Sequence, residues 1–96
     1  MYGTIARLRL KPGMEQRMAD LIRPYEALKV DGYIRSTLYR MDEDSNELYL
    51  AVVFENKEKY DKNANSPEQD KRYQEMLSLL DGEPEWHDGE IIYPMS

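Results

Sequence analysis

Apolar and polar residues alternate singly through several stretches of this chain and recur at helical spacing in others. From Tyr2 to Lys11, the side chains of Tyr2, Thr4, Ala6, Leu8 and Leu10 fall on one side and Ile5, Arg7, Arg9 and Lys11 on the other. That is the period of a half-buried strand. Lys11-Pro12-Gly13 ends it, because proline cannot donate to a ladder and glycine turns the chain. Met14, Met18, Leu21, Ile22, Tyr25 and Leu28 then form one stripe among Glu15, Gln16, Arg17, Asp20 and Glu26, which predicts an amphipathic helix. Pro24 sits inside that helix and removes a backbone hydrogen bond, so a kink or break is expected near Leu21 to Arg23.

After Asp31-Gly32 a second alternating run sets Ile34, Ser36 and Leu38 against Tyr33, Arg35, Thr37 and Tyr39. The polar segment 41–46 reads as a hairpin loop. A third run follows, with Leu48, Leu50, Val52 and Phe54 on one side and Tyr49, Ala51, Val53 and Glu55 opposite. The next helical region comes in two pieces. Lys57 to Asn63 is short and polar; then Ser66-Pro67-Glu68-Gln69 combines an N-cap serine, proline at the first helical position and the glutamine of a capping box. Tyr73, Met76, Leu77 and Leu80 supply its apolar stripe, Asp81-Gly82 ends it, and Glu85 to Tyr93 predicts a last strand. The order β-α-β-β-α-β is α+β and ferredoxin-like: a four-stranded antiparallel sheet with two helical regions on one face. Residues 1–96 read as a single domain of this kind.

Composition narrows the function classes. The 96 residues include no cysteine, which removes disulfides, thiolate metal sites and a cysteine nucleophile. Residues 1–40 carry a net charge of +4 and residues 41–96 carry −10, for a total of −6. An acidic total without a basic cluster argues against nucleic acid and against anionic membranes. No apolar run approaches the ~20 residues of a membrane span, and no signal-peptide pattern is visible, so a cytoplasmic protein is expected.

Two helical regions cover one side of such a sheet and leave the other bare. Ile5, Tyr33, Tyr39, Tyr49, Ala51 and Val53 are assigned to the bare face, mixed with Arg7, Arg9, Arg35 and Thr37. Four strands of about six residues make a face of roughly 400 Å², near the largest apolar patch a monomer exposes. A two-fold contact would cover it. The expected partner is therefore a second copy, joined sheet to sheet into an eight-stranded barrel.

The segment Val53-Phe54-Glu55-Asn56-Lys57-Glu58-Lys59-Tyr60, followed by Asn65-Ser66-Pro67-Glu68, resembles the antibiotic-biosynthesis monooxygenase-like domain of the dimeric α+β barrel proteins. The resemblance spans nearly the whole chain. It implies a homodimer, a ligand cavity between helices and sheet in each subunit, and, in active members, oxygen-dependent oxidation of an aromatic substrate without metal or flavin. Many members carry a histidine shortly after this segment, where this chain has Asn63 or a neighbour. A haem-handling relative would need Asn, Trp and His together, but Trp86 and His87 are adjacent in a strand and point to opposite faces.

Candidate chemistry follows. His87 is the one histidine and the default proton-transfer group, since its unperturbed pKa lies near neutrality; the alternative is an ordinary strand histidine beside Asp88. Tyr25, Tyr60 and Tyr73 are candidate cavity walls, with Met18 and Met76 as adaptable surface, Asn63 as a polar contact and Trp86 as a stacking wall. The plain alternative is amphipathic core. Arg7, Arg9 and Arg35 could hold an anion, or pair with Glu55 or Glu90 across strands. Asp42, Asp44 and Asn46 imitate a calcium loop, but Glu47 stands where that loop needs glycine and Val53 where it needs glutamate, so no metal site is expected. The expectation is a small homodimer that binds an aromatic or quinone-like molecule, possible cofactor-independent monooxygenase chemistry included. The rival is a non-catalytic ligand-binding or dimerisation module of the same fold. An apolar space of at least ~300 Å³ separates a ligand site from a self-filled interior.

Overall fold

The first alternating run becomes β1 (Tyr2–Arg9), buried at Thr4, Ala6 and Leu8 and exposed at Ile5, Arg7 and Arg9. It is followed by α1 (Glu15–Ile22), β2 (Tyr33–Arg40), β3 (Glu47–Phe54), α2 (Lys57–Ala64), α3 (Pro67–Leu77) and β4 (Glu85–Glu90). The computed structural model describes residues 1–24 and 30–94. All strand pairs are antiparallel, in the order β2-β3-β1-β4. β1 and β3 are thus central, and the chain has the α+β ferredoxin-like arrangement. Ala6, Leu8 and Leu10 pack in one core with Met18 of α1, Met76 of α3 and Leu80. Leu8, Leu10 and Met18 of this core, and Phe54 outside it, are the largest fully buried side chains, each contributing about 1.5–3 kcal/mol on burial.

The helix ends follow local chemistry. α1 stops at Ile22 with Arg23 N–H still bonded to the Ala19 carbonyl at 2.9 Å, the break that Pro24 predicts; Tyr25 and Leu28 lie outside the described residues. Ser66 Oγ accepts from Gln69 N–H at 3.1 Å with Pro67 at the first turn of α3. Asn56 caps α2 in the same way, accepting from Lys59 N–H at 2.9 Å. At the end of β1, Gly13 takes a φ of +80°, which glycine adopts without a Cβ penalty.

Three expectations need correction. Tyr33 does not lie on the bare face. A bulge between Tyr33 and Arg35 absorbs one residue, so that Tyr33 sits opposite Phe54, and a bulge reverses the phase of alternation on its strand. The Tyr33 ring meets Phe54 edge-on at 5.8 Å and its hydroxyl donates to Ser36 Oγ at 2.8 Å, leaving Ile34 exposed. β4 stops at Glu90, short of Tyr93, because its partner strand runs out at Tyr2; Ile92 and Tyr93 remain 78% and 86% exposed. The arginines of β1 find other acids than Glu55 and Glu90. Arg7 donates to Glu47 at 2.7 Å and Glu85 at 2.9 Å, and Arg9 pairs with Asp44 at 2.8 Å. The register decides this, since Arg7 lies directly opposite Glu85, while Glu47 sits opposite Arg9; Glu55 is taken by Lys59, one helical turn along.

Candidate functional site

A cavity of about 380 Å³ opens between the inner face of the sheet and the helices. Each element contributes by its own period. On β1 and β4, Thr4 lies opposite Asp88 and Ala6 opposite Trp86, so the even positions of both strands face inward together. Thr4, Trp86 and Asp88 line the cavity. Tyr60, Asn63 and Ala64 reach it from one face of α2, and Gln69, Arg72, Tyr73 and Met76 from α3, at the three- and four-residue spacing of neighbours on a helix. Leu50, Val52 and Phe54 form the floor on β3.

Aromatic rings make much of the wall. Phe54 meets Tyr60 edge-on at 5.5 Å, and Tyr60 meets Tyr2 at 5.2 Å. Across the cavity Tyr73 lies against Trp86 with ring centroids 6.0 Å apart. Trp86 is 38% exposed, so it is a wall of this space and not a core residue beneath a helix.

Polar groups enter the wall from several elements: Thr4, Ser36, Tyr60, Asn63, Gln69, Arg72 and two carboxylates, Asp70 and Asp88. Tyr60 Oη donates to Asp88 Oδ1 at 2.9 Å. Burial pushes the Tyr60 phenol well above its ordinary pKa, and the hydrogen bond to Asp88 adds to the rise; the nearby Thr4 hydroxyl acts in the opposite sense. Tyr60 is therefore a neutral hydroxyl donor at physiological pH. Thr4 is itself 5% exposed, and its Oγ1 closes no hydrogen bond of good geometry among the described residues. Arg72 donates to Gln69 Oε1 at 3.1 Å within α3.

The structure brings Tyr60, Asn63, Tyr73 and Trp86 together around one space. His87 is elsewhere. It lies opposite Ile5 on the bare face, in a shallow hollow of about 240 Å³ with Ala51, Val53 and Gly89, so the sheet separates it from the cavity. Tyr25 lies outside the described residues, and Met18 is wholly buried in the core. Several cavity residues were not singled out from sequence, Thr4 and Asp88 on the strands and Gln69, Asp70 and Arg72 on α3 among them; for the two strand residues the cause is specific. The signal for both was the strand period: whatever faces inward with Trp86 includes Asp88, and whatever faces inward with Ala6 includes Thr4. Asp44, in the loop that imitates a calcium site, accepts from Asn46 N–H at 3.0 Å and pairs with Arg9. Among the described residues no group of three or more histidine or acidic side chains could hold a metal ion.

The model of the antibiotic biosynthesis monooxygenase family matches residues 1–75. The chain belongs to this family. Among solved structures, it superposes on a conserved protein from Methanosarcina mazei Go1 with a TM-score of 0.78 at 21% identity, covering 92% of this chain and 89% of that one. Rv0793 from Mycobacterium tuberculosis gives a TM-score of 0.78 at 18% identity, covering 99% and 98%. SnoaB, a cofactor-independent oxygenase from Streptomyces nogalater, gives 0.75 at 14% identity, covering 98% and 97%. At these identities the likeness shows the fold. No curated protein matches the chain in sequence. In this member of the family the matched region includes β1 to most of α3, and Trp86 and Asp88 lie beyond it.

The unpartnered Thr4 hydroxyl supplies a test of the geometry. Thr4→Val keeps the shape and removes a buried polar group without a partner, whose burial costs about 1–3 kcal/mol. The variant is expected to gain about 1 kcal/mol in urea unfolding. A loss of stability would show that the hydroxyl is satisfied.

Proposed function

We propose that this chain binds a small aromatic or quinone-like molecule in the cavity between its helices and its sheet, as one half of a homodimer joined sheet to sheet. The observation that carries the reading is the cavity itself. Its volume of about 380 Å³ exceeds the ~300 Å³ at which small-molecule sites begin, and rings from four elements and a few inward polar groups line it. Flat rings at the walls favour a flat ligand, because offset and edge-on contacts with Tyr73, Trp86, Phe54 and Tyr60 stabilise aromatic pairs beyond simple burial.

Membership of the monooxygenase family and the description of SnoaB as a cofactor-independent oxygenase support oxidation of the bound molecule by oxygen as the chemistry. A base for such chemistry has to come from the cavity wall, which His87 does not reach. No described helix is long and apolar enough to cross a membrane; a cytoplasmic location is part of the same proposal.

Trp86 is the only tryptophan, so its fluorescence reports the site directly. Titration with 1,4-naphthoquinone is expected to quench it saturably, with a Kd below about 100 μM, or about −5.5 kcal/mol. Linear, unsaturable quenching would refute the site. Oxygen uptake with 1,4-dihydroxynaphthalene above its autoxidation rate, in chelator-treated buffer, then separates turnover from binding alone.

A further inference from the structure

The cavity has a polar end, and its parts come from three elements. Asp88 projects from the edge strand β4, Thr4 sits directly opposite it on β1, and Tyr60 reaches down from α2 to donate to Asp88 Oδ1 at 2.9 Å. That bond occupies one carboxylate oxygen. Among the described residues Oδ2 accepts no hydrogen bond, and no lysine or arginine forms an ion pair with Asp88. An ionised carboxylate offers about four acceptor positions and no donor. One is filled here by a neighbour that holds the group in place, on a residue that lines the cavity and is itself exposed, at its mouth.

We propose that Asp88 is the point at which the cavity recognises a ligand hydroxyl: Oδ2 accepts the O–H of a phenol or enol, and Tyr60, bound to Oδ1, positions the carboxylate. This rests on the reading of the cavity as a ligand site and goes further, because it names the ligand class and its orientation. Residues two apart on one face of a strand lie about 6.6 Å from each other, a little more than the distance from a phenol's ring centre to an acceptor hydrogen-bonded to its hydroxyl. A hydroxyl held by Asp88 therefore sets its ring beside Trp86, which already stands against Tyr73. Burial and the bond to Asp88 keep Tyr60 protonated, so the positioning contact persists across neutral pH. The carboxylate also selects against ligands with an anion at this end, since like charges in a partly dry site repel. Arg72, the cation on the cavity wall, is engaged by Gln69 on its own helix.

The test is calorimetric titration of the wild type, Asp88→Ala and Tyr60→Phe with 1-naphthol, 1-methylnaphthalene and 1-naphthoate. A hydrogen bond to a charged acceptor separates naphthol from its methyl analogue, so Asp88→Ala is expected to weaken 1-naphthol roughly tenfold and leave 1-methylnaphthalene within about twofold. Tyr60→Phe keeps the ring packing and is expected to weaken 1-naphthol by about threefold with the same selectivity. The wild type is expected to bind 1-naphthoate more weakly than 1-naphthol, and Asp88→Ala to narrow that gap. Both substitutions are at exposed or half-exposed positions, and circular dichroism confirms the fold. If the wild type binds all three aromatics and Asp88→Ala changes 1-naphthol and 1-methylnaphthalene equally, or neither, the hydroxyl assignment is overturned and the cavity reading stands. If none of the three binds the wild type, both fall together.

Discussion

Replacing Ile5 with aspartate is expected to turn a dimer into a monomer without unfolding the chain. Ile5 is 56% exposed, at the middle of central strand β1, between Ala51 on β3 and His87 on β4. Around it the bare face is apolar, with Val53 at 7% exposure and Tyr39 at 54%, and towards one end it is ringed by paired charges, Arg7 with Glu47 and Glu85, and Arg9 with Asp44. An apolar centre with a satisfied polar rim is the pattern of an interface. The sheet face supplies only about 400 Å² by its strand spacing, against roughly 800 Å² per partner in a stable complex. The proposed dimer therefore needs more than the sheet, and the exposed Ile92 and Tyr93 just past β4 are the nearest apolar surface available. An unpaired carboxylate buried at the centre of that contact costs several kcal/mol, enough to raise the dimer dissociation constant more than about a hundredfold. Sedimentation velocity at tens of micromolar reads this. A wild-type monomer, or an unaltered dimer in Ile5→Asp, contradicts the sheet-to-sheet assembly.

Gly3→Ala is expected to cost at least about 3 kcal/mol, the upper part of the range for overpacking a well-filled site. A Cβ at Gly3 would lie 1.9 Å from the Val52 carbonyl oxygen and 3.0 Å from its carbon. Both are backbone atoms of β3, and β1 is pinned between β3 and β4, with Gly3 opposite Val53 and Gly89. Relief requires one central ladder to open. Total stability of such a domain is about 5–15 kcal/mol, so the loss is a large share. Gly89→Ala is the control: nothing lies within 4 Å of its added Cβ, and a change within about 0.5 kcal/mol is expected. Equal urea midpoints for the two variants would show that β1 and β3 are not in this register.

How much of this could be read from the chain depends on whether one local rule governed each residue. β1 was legible because alternation, Pro12 and Gly13 agree, and the start of α3 because Ser66, Pro67 and Gln69 each express the same preference. Tyr33 was not, because a bulge inserts a residue without any mark in composition, and a shift of one reverses every face assignment before it. The end of β4 depended on where its partner strand stops. Tyr73 was legible from its apolar helical stripe, whereas Tyr60, in a polar segment, and Trp86 were candidates by their ring type and not by spacing. Asp88 was overshadowed by its neighbour His87, since a histidine draws attention by its pKa while the strand period decides which of two adjacent residues reaches the site. The Thr4 hydroxyl and the bond from Tyr60 to Asp88 join residues 56 and 28 positions apart in sequence, a proximity only the assembled sheet reveals.

The most direct measurement of the central claim is a titration of isotope-labelled protein with 1,4-naphthoquinone, followed by amide chemical shifts. The account predicts that the largest changes fall on Thr4, Tyr60, Asn63, Tyr73 and Trp86, around the space between helices and sheet. Changes centred instead on Ile5, Val53 and His87 would place the ligand on the opposite face and contradict it.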